Sequence, residues 1–317
     1  MTSSYPKNKV VLITGGTKGL GLVLAEHLLN KSCKVAICAR EEEELNQAKN
    51  HLLKCGGDIF TYKCDVAVRK EVNDLLAAVI NHYGELDIII NNAGIIIVGP
   101  MESFDFHHYE DAMNVMFWGI ANTTLSIVPY FKGRQNGHIV NITSVGAKVS
   151  IPHLLPYNAA KFAAAGFSEG SAAELRKDNI YVTTVYPGLM RTGSYVNAFF
   201  QKENKKEFKL FAFMSTAPLL TISADKAARR IVKAIEQKEL TKVVGLPAKV
   251  LIELNHFFPR IMNRIFSMVA RSIPSSETKT GFEKGINISH QPDSEIPGFR
   301  EIGKKIRSDH QGPSINQ

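Results

Sequence analysis

The chain has 317 residues, 44% hydrophobic and 21% charged, which excludes a disordered chain and allows one large core or two modest ones. Its net charge of +8 is spread without a Lys/Arg-rich block, which excludes a nucleic-acid footprint and leaves an anionic cofactor or an anionic membrane open. No uninterrupted apolar run reaches the roughly 18 residues of a spanning helix. Cys33, Cys38, Cys55 and Cys64 form no CxxC pair and have no histidine at zinc spacing. They read as small core residues in a reducing compartment, and no metal site is expected. The polar start, "MTSSYPKNK", reads as lacking a signal peptide, so a cytoplasmic location is expected.

In chain order, "KVVLIT" (9–14), "KVAICA" (34–39), "IFTYKCD" (59–65), "LDIIIN" (86–91), "GHIVNIT" (137–143) and "IYVTTVYP" (180–187) read as strands. They are too continuously apolar for a sheet with one wet face, so they suit a buried parallel sheet. Helical segments are predicted between them at 19–30, 41–55, 67–83, 105–131 and 156–178. This alternation argues for right-handed βαβ units and an α/β doubly wound parallel sheet of about seven strands. After 188 an aromatic stretch follows, then a helix at 223–237, a strand at 242–244, an apolar helix to 270 and a polar tail. The expected organisation is a dinucleotide-binding catalytic domain over 1–245, a basic, apolar helical extension over 246–274, and a flexible or surface-draped tail over 275–317.

The first strand runs into "TGGTKGLG", where Gly15, Gly19 and Gly21 are spaced G-x-x-x-G-x-G. Glycines there permit a tight turn and close approach of the backbone to a pyrophosphate at the next helix's N-terminus. Further on, Tyr157 and Lys161 stand four apart, one helical turn, so they share a face. A fixed positive charge beside a phenol favours the phenolate. A phenol tuned this way can give or take a proton near neutral pH.

"TGGTKGLG", "NNAG" (91–94), "NVMFWG" (114–119), "NITS" (141–144), "YNAAK" (157–161) and "YPG" (186–188) occur in order over residues 8–245. In these motifs the chain resembles the short-chain dehydrogenase/reductase family. The resemblance implies a single-domain Rossmann fold, a nicotinamide dinucleotide and reversible hydride transfer at a carbonyl or alcohol. It implies Tyr157 as catalytic acid/base and Lys161 as the residue that lowers the tyrosine's pKa and holds the nicotinamide ribose. Ser144, 13 residues before Tyr157, matches the serine that hydrogen-bonds the substrate oxygen, and Asn114 the asparagine of a water-linked proton path. Further cofactor contacts are implied at Thr17, Lys18 and Leu20 in the glycine loop. Asp65 and Val66 match the adenine contacts, and Asn91, Ala93 and Gly94 the segment lining the riboses. Pro187, Gly188 and Thr192 match the segment over the nicotinamide. Asp65 and Thr192 also suit ordinary helix caps.

The second strand ends "ICAREEEEL". The position where an acid commonly meets the ribose hydroxyls of NAD is Ala39, followed by Arg40. An arginine grips a 2′-phosphate with a planar fork, and Lys18 offers a second positive charge. NADP is therefore expected over NAD, in line with the family's NADP-preferring branch. Glu41 to Glu44 read as the first turn of a helix, pairing in part with Arg40.

The segment 189–220 corresponds to the family's lid and carries Tyr195, Phe199, Phe200, Phe208, Phe211, Phe213 and Met214. Two readings stand: an apolar pocket wall, or packing into a core or subunit interface. His153 could touch substrate or be a satisfied core histidine. In the extension, Leu251, Leu254, Phe258, Ile261, Ile265 and Val269 recur at helical spacing beside Lys249, Arg260, Arg264 and Arg271, with Pro259 expected to divide the helix. That segment suits peripheral contact with the cytoplasmic face of a membrane, a second subunit in a homo-oligomer, or a cover over its own domain. The expected activity is NADP-dependent hydride transfer on a small hydrophobic carbonyl or alcohol, lipid-, steroid- or retinoid-like. The alternatives are an NADPH-binding regulator without turnover and a family enzyme doing isomerisation or dehydration.

Overall fold

The computed structural model describes residues 5–202, 204–273 and 281–289. The first half runs β1 (Val10–Thr14), α1 (Gly19–Leu29), β2 (Lys34–Ala39), α2 (Glu42–Leu53), β3 (Ile59–Lys63), α3 (Arg69–Tyr83), β4 (Ile88–Asn91), β5 (Ile97–Val98), α4 (Phe106–Met113) and α5 (Gly119–Arg134). It continues with β6 (Gly137–Ile142), α6 (Leu155–Leu175), β7 (Ile180–Pro187), β8 (Met190–Arg191), β9 (Phe199–Gln201), α7 (Lys205–Thr216), β10 (Ile222–Ser223), α8 (Ala224–Glu236) and β11 (Thr241–Val244). Helices α9 (Leu246–Phe257) and α10 (Pro259–Ser272), strand β12 (Phe282–Lys284) and helix α11 (Gly285–Ser289) complete the described elements.

Seven strands form a parallel sheet in the order β11-β7-β6-β4-β1-β2-β3. Alternate residues of β1 serve opposite faces. Val11 and Ile13 enter the layer under α1, α2 and α8, whereas Val10 and Leu12 enter the layer under α3 and α5. Burial on both faces explains the continuous apolar runs, each large side chain contributing about 1.5–3 kcal/mol. The chain moves outward from β1 through β2 to β3, then returns to place β4 on the other side of β1. Ligands bind in doubly wound sheets at this reversal, beyond the carboxyl ends of the strands.

The expected single helix over 105–131 is instead divided. Residues Asn114–Trp118 form a π-turn between α4 and α5, closed by the Gly119 N–H donating to the Asn114 carbonyl. The extra residue per turn changes which side chains face inward. The expected break at Pro259 is present, because Phe258 leaves the helical region (φ −127°, ψ 51°), as residues before proline do.

The lid segment is well built. Tyr195, Phe200 and Phe208 are buried in a satellite core with Val98, Val196 and Ile288, so these aromatics pack rather than wall a pocket. Part of the tail expected to be flexible belongs to the same unit. β12 pairs antiparallel with β9, and Ile288 of α11 is fully buried. Residues 274–280 and 290–317 lie outside the described residues. No helix among the described residues is long and apolar enough to cross a membrane.

Candidate active site

A cleft of about 380 Å³ opens at the carboxyl ends of β1, β2, β4 and β6. The glycine loop forms its floor. Gly15 (φ +62°) and Gly19 (φ +54°) hold left-handed backbone that side-chain-bearing residues adopt at a cost. A Cβ on Gly15 would stand 2.9 Å from Ala93 Cα, and one on Gly21 2.2 Å from the Gly15 carbonyl oxygen. Lys18, the N-cap of α1, makes no side-chain cap hydrogen bond, so the helix presents its first N–H groups without a side-chain acceptor from the cap. These features fit the pyrophosphate of a dinucleotide.

Most of the expected cofactor contacts meet in this cleft. Gly15, Thr17, Lys18, Gly19, Leu20, Arg40, Asp65, Val66, Ala93, Gly94, Pro187, Gly188 and Thr192 all line it. Two do not. Gly21 acts from behind by allowing α1 to approach the Gly15 carbonyl. Asn91 is buried under the site, donating to Asn141 Oδ1 at 2.8 Å and accepting from Thr123 Oγ1 at 2.7 Å. Its neighbour Asn92, absent from the sequence reading, lines the cleft and donates to the Gly15 carbonyl at 2.9 Å. Asp65 does act as a local cap, accepting from the Ala67 N–H at 2.9 Å, while also lining the cleft.

The charges near β2 differ from expectation. Arg40 is exposed at the cleft and forms none of the ion pairs among the described residues. Glu44 turns instead to Lys18, at 2.6 Å. The pairing expected between Arg40 and the glutamates is thus replaced, because Glu44 faces the glycine loop across the cleft from α2.

Ser144, Tyr157 and Lys161 converge at the other end. Ser144 leaves β6 as the cap of a short 3₁₀ turn and accepts from the Gly146 N–H at 3.0 Å. Tyr157 and Lys161 occupy the first two turns of α6, with Lys161 Nζ 5.8 Å from the tyrosine ring centre. Burial raises the Tyr157 pKa, and the hydrogen bond with Ser144 opposes that rise. Ser144, rather than the expected Lys161, is the neighbour that lowers it in this geometry. Lys161 is only 4% exposed, and burial lowers its pKa to about 8. Its ammonium donates to the Ile142 carbonyl at 2.9 Å, leaving donors to spare toward the cleft.

Asn114 does not join this group. The π-turn leaves it exposed and outside the cleft, and brings Met116 inward instead. A Cβ on Gly94 would lie 3.7 Å from Met116 Sδ and 3.8 Å from Lys161 Nζ, which places the thioether beside the lysine. A thioether carries no proton, so the path implied through Asn114 lacks its side chain here. Sequence reasoning also missed Lys284, which reaches the cleft through the β9–β12 pairing; Phe199, one of the lid aromatics, does line the cleft wall. His153 is satisfied by a hydrogen bond between its Nδ1 and Glu207 Oε1, with the Glu207 side chain buried and that of His153 nearly so.

A family model described as short chain dehydrogenase matches residues 9–203. The chain is 33% identical over 245 residues to the putative oxidoreductase SadH of Mycobacterium tuberculosis, covering 77% of this chain and 88% of that one. It is 29% identical over 286 residues to a fatty acyl-CoA reductase of Acinetobacter baylyi, covering 89% and 91%. Among solved structures, an actinorhodin polyketide ketoreductase variant with NADPH is similar at a TM-score of 0.66 and 26% identity, covering 78% of this chain and 97% of that one.

Proposed function

The chain belongs to the short-chain dehydrogenase/reductase family, is an NAD(P)-dependent oxidoreductase by that membership, and we propose that it uses NADP on a hydrophobic carbonyl or alcohol with Tyr157 as acid/base. The observation that carries this reading is the convergence of Ser144, Tyr157 and Lys161 in one cleft with an uncapped glycine loop.

A bound nicotinamide dinucleotide supplies or accepts the hydride. The loop from Gly15 to Gly21 and the α1 N-terminus would hold its pyrophosphate, and Arg40 its 2′-phosphate. Asp65 and Val66 would meet the adenine; Lys161 and Ala93 would meet the nicotinamide ribose, and Thr192 the carboxamide. In reduction, the substrate oxygen gains negative charge as its carbon accepts hydride. Ser144 and Tyr157 donate hydrogen bonds to that oxygen, and Tyr157 passes it a proton. Lys161, a cation when protonated, stabilises the phenolate left on Tyr157, which regains its proton from solvent. In oxidation, Tyr157 takes the proton back.

Arg40 supports the choice of NADP, since an exposed, unpaired guanidinium at the end of β2 is placed for a phosphate. A hydrophobic substrate is supported by the similarity to a fatty acyl-CoA reductase; a second cleft of about 540 Å³, walled by Ile151, Leu155 and Phe266 but also by Glu102 and Arg271, lies between Pro100–Met101, the loop 150–155 that leads into Tyr157, and α10. Homo-oligomerisation belongs to the same reading, because Trp118, Leu125 and Phe162 are exposed on neighbouring helices. The test is NADPH consumption with a series of carbonyls of increasing aliphatic length. Rates that rise with chain length are expected; consumption confined to short polar carbonyls would overturn the substrate class.

A further inference from the structure

Helices α9 and α10 pack on the catalytic domain through one side only. Ala248, Leu251 and Ile252 of α9 and Phe266 of α10 meet Val145, Val149 and Ile151, which flank the segment carrying Ser144. The remaining side is uncovered: nine large apolar side chains from Leu246 to Val269 are between 39% and 71% exposed. Phe257 and Phe258 form the corner between the helices and are 67% and 52% exposed. This is a contiguous run along two helices, not scattered single residues.

The polar groups beside it are of one sign. At about 100° per residue, Arg260, Arg264 and Arg271 fall within a stripe of about 40° on α10. The adjoining sector holds Met268, Ile261, Ile265 and Val269. Lys249 extends the charge onto α9, and Glu253 is the sole acid between 246 and 272. None of the ion pairs among the described residues involves these four cations.

An occupant must therefore accept apolar side chains and neutralise arginines along one edge. A second copy meeting this face would offer it only the same cations and a single acid, Glu253, and so no anionic complement for the arginine stripe. An anionic bilayer offers both complements, acyl chains for the apolar sector and phosphates for the guanidinium groups. Neither helix can cross a bilayer, so contact must be parallel to its surface. We infer that α9–α10 docks the protein on an anionic lipid bilayer, with Phe257 and Phe258 seated below the headgroups and Arg260, Arg264 and Arg271 on the phosphates.

Docking there would touch the active site's supports. A Cβ on Gly188 would stand 2.8 Å from Ala248 Cβ, and Asn255 Nδ2 donates to the Lys148 carbonyl at 3.1 Å. The second cleft is bounded by α10 itself, so the bilayer lies beside the loop leading into Tyr157.

The test is flotation of the full chain with vesicles of phosphatidylcholine alone or mixed with phosphatidylglycerol, at low and high salt. Binding is expected to the mixed vesicles and to weaken with salt. Replacing the three arginines by Gln should lower the partition coefficient about 100-fold. Phe257→Ser with Phe258→Ser should lower it at least about 10-fold. All of these side chains are exposed, so unchanged melting of the variants is expected to accompany the loss. Absence of flotation by the parent chain would overturn the inference, as would binding that neither variant weakens. So would a lipid-free dimer that Phe257→Ser with Phe258→Ser dissociates.

Discussion

Replacing Lys161 by Met should change not only activity but the pH dependence of stability in the cofactor-free protein. Lys161 is 4% exposed, and burial takes its pKa from 10.5 to about 8. At about 1.36 kcal/mol per pH unit, that interval is about 3 kcal/mol. The sign follows from proton binding. Above pH 10.5 the amine is neutral in both states. As pH falls toward 8, the unfolded chain takes up a proton that the folded chain does not, so stability drops. Below 8 both states carry it and the loss is complete. Met cannot titrate, so the difference between the two proteins isolates this effect. The lost hydrogen bond to the Ile142 carbonyl adds a nearly constant offset of about 1–3 kcal/mol. Urea unfolding of both proteins between pH 10 and pH 7 should show the parent losing about 2–3 kcal/mol relative to Lys161→Met. Parallel stability curves would refute the claim that burial lowers the pKa of Lys161 in the folded protein.

Arg40→Asp should move cofactor preference from NADPH toward NADH in calorimetric titrations; a parent protein that already binds NADH more tightly would refute the 2′-phosphate assignment. Gly21→Ala places a Cβ 2.2 Å from the Gly15 carbonyl, so melting should report a loss of about 1–3 kcal/mol together with weaker dinucleotide binding. Asn114→Ala should leave turnover unchanged, since that side chain is outside the cleft; a large fall in its turnover would restore the proton path through it.

The sheet was legible because parallel strands are apolar on both faces, as Val10 through Thr14 show by being buried without exception. The glycine loop, Ser144, Tyr157 and Lys161 were legible because their spacing follows from one strand–helix junction or one helical turn. Asn114 was misread because a π-turn rotates the following side chains, and nothing in the local apolar pattern announces it. The partner of Lys18 was invisible for a different reason: Glu44 lies 26 residues away, and the choice between Lys18 and Arg40 is set by how α2 packs. The β9–β12 pairing joins short strands of mixed polarity across 80 residues, too few and too polar to show a period. That pairing brings Lys284 to the cleft, and no reading of the tail alone could place it there.

The central claim is hydride transfer with Tyr157 as the proton donor. It is tested most directly by following NADPH absorbance with an apolar carbonyl for the parent protein and for Tyr157→Phe, with NADPH affinity measured for both. The parent should consume NADPH, and the variant should bind it equally while turnover falls by about 10²–10⁴-fold. Equal turnover in the two proteins, or no turnover by the parent with either nicotinamide cofactor, would contradict the account.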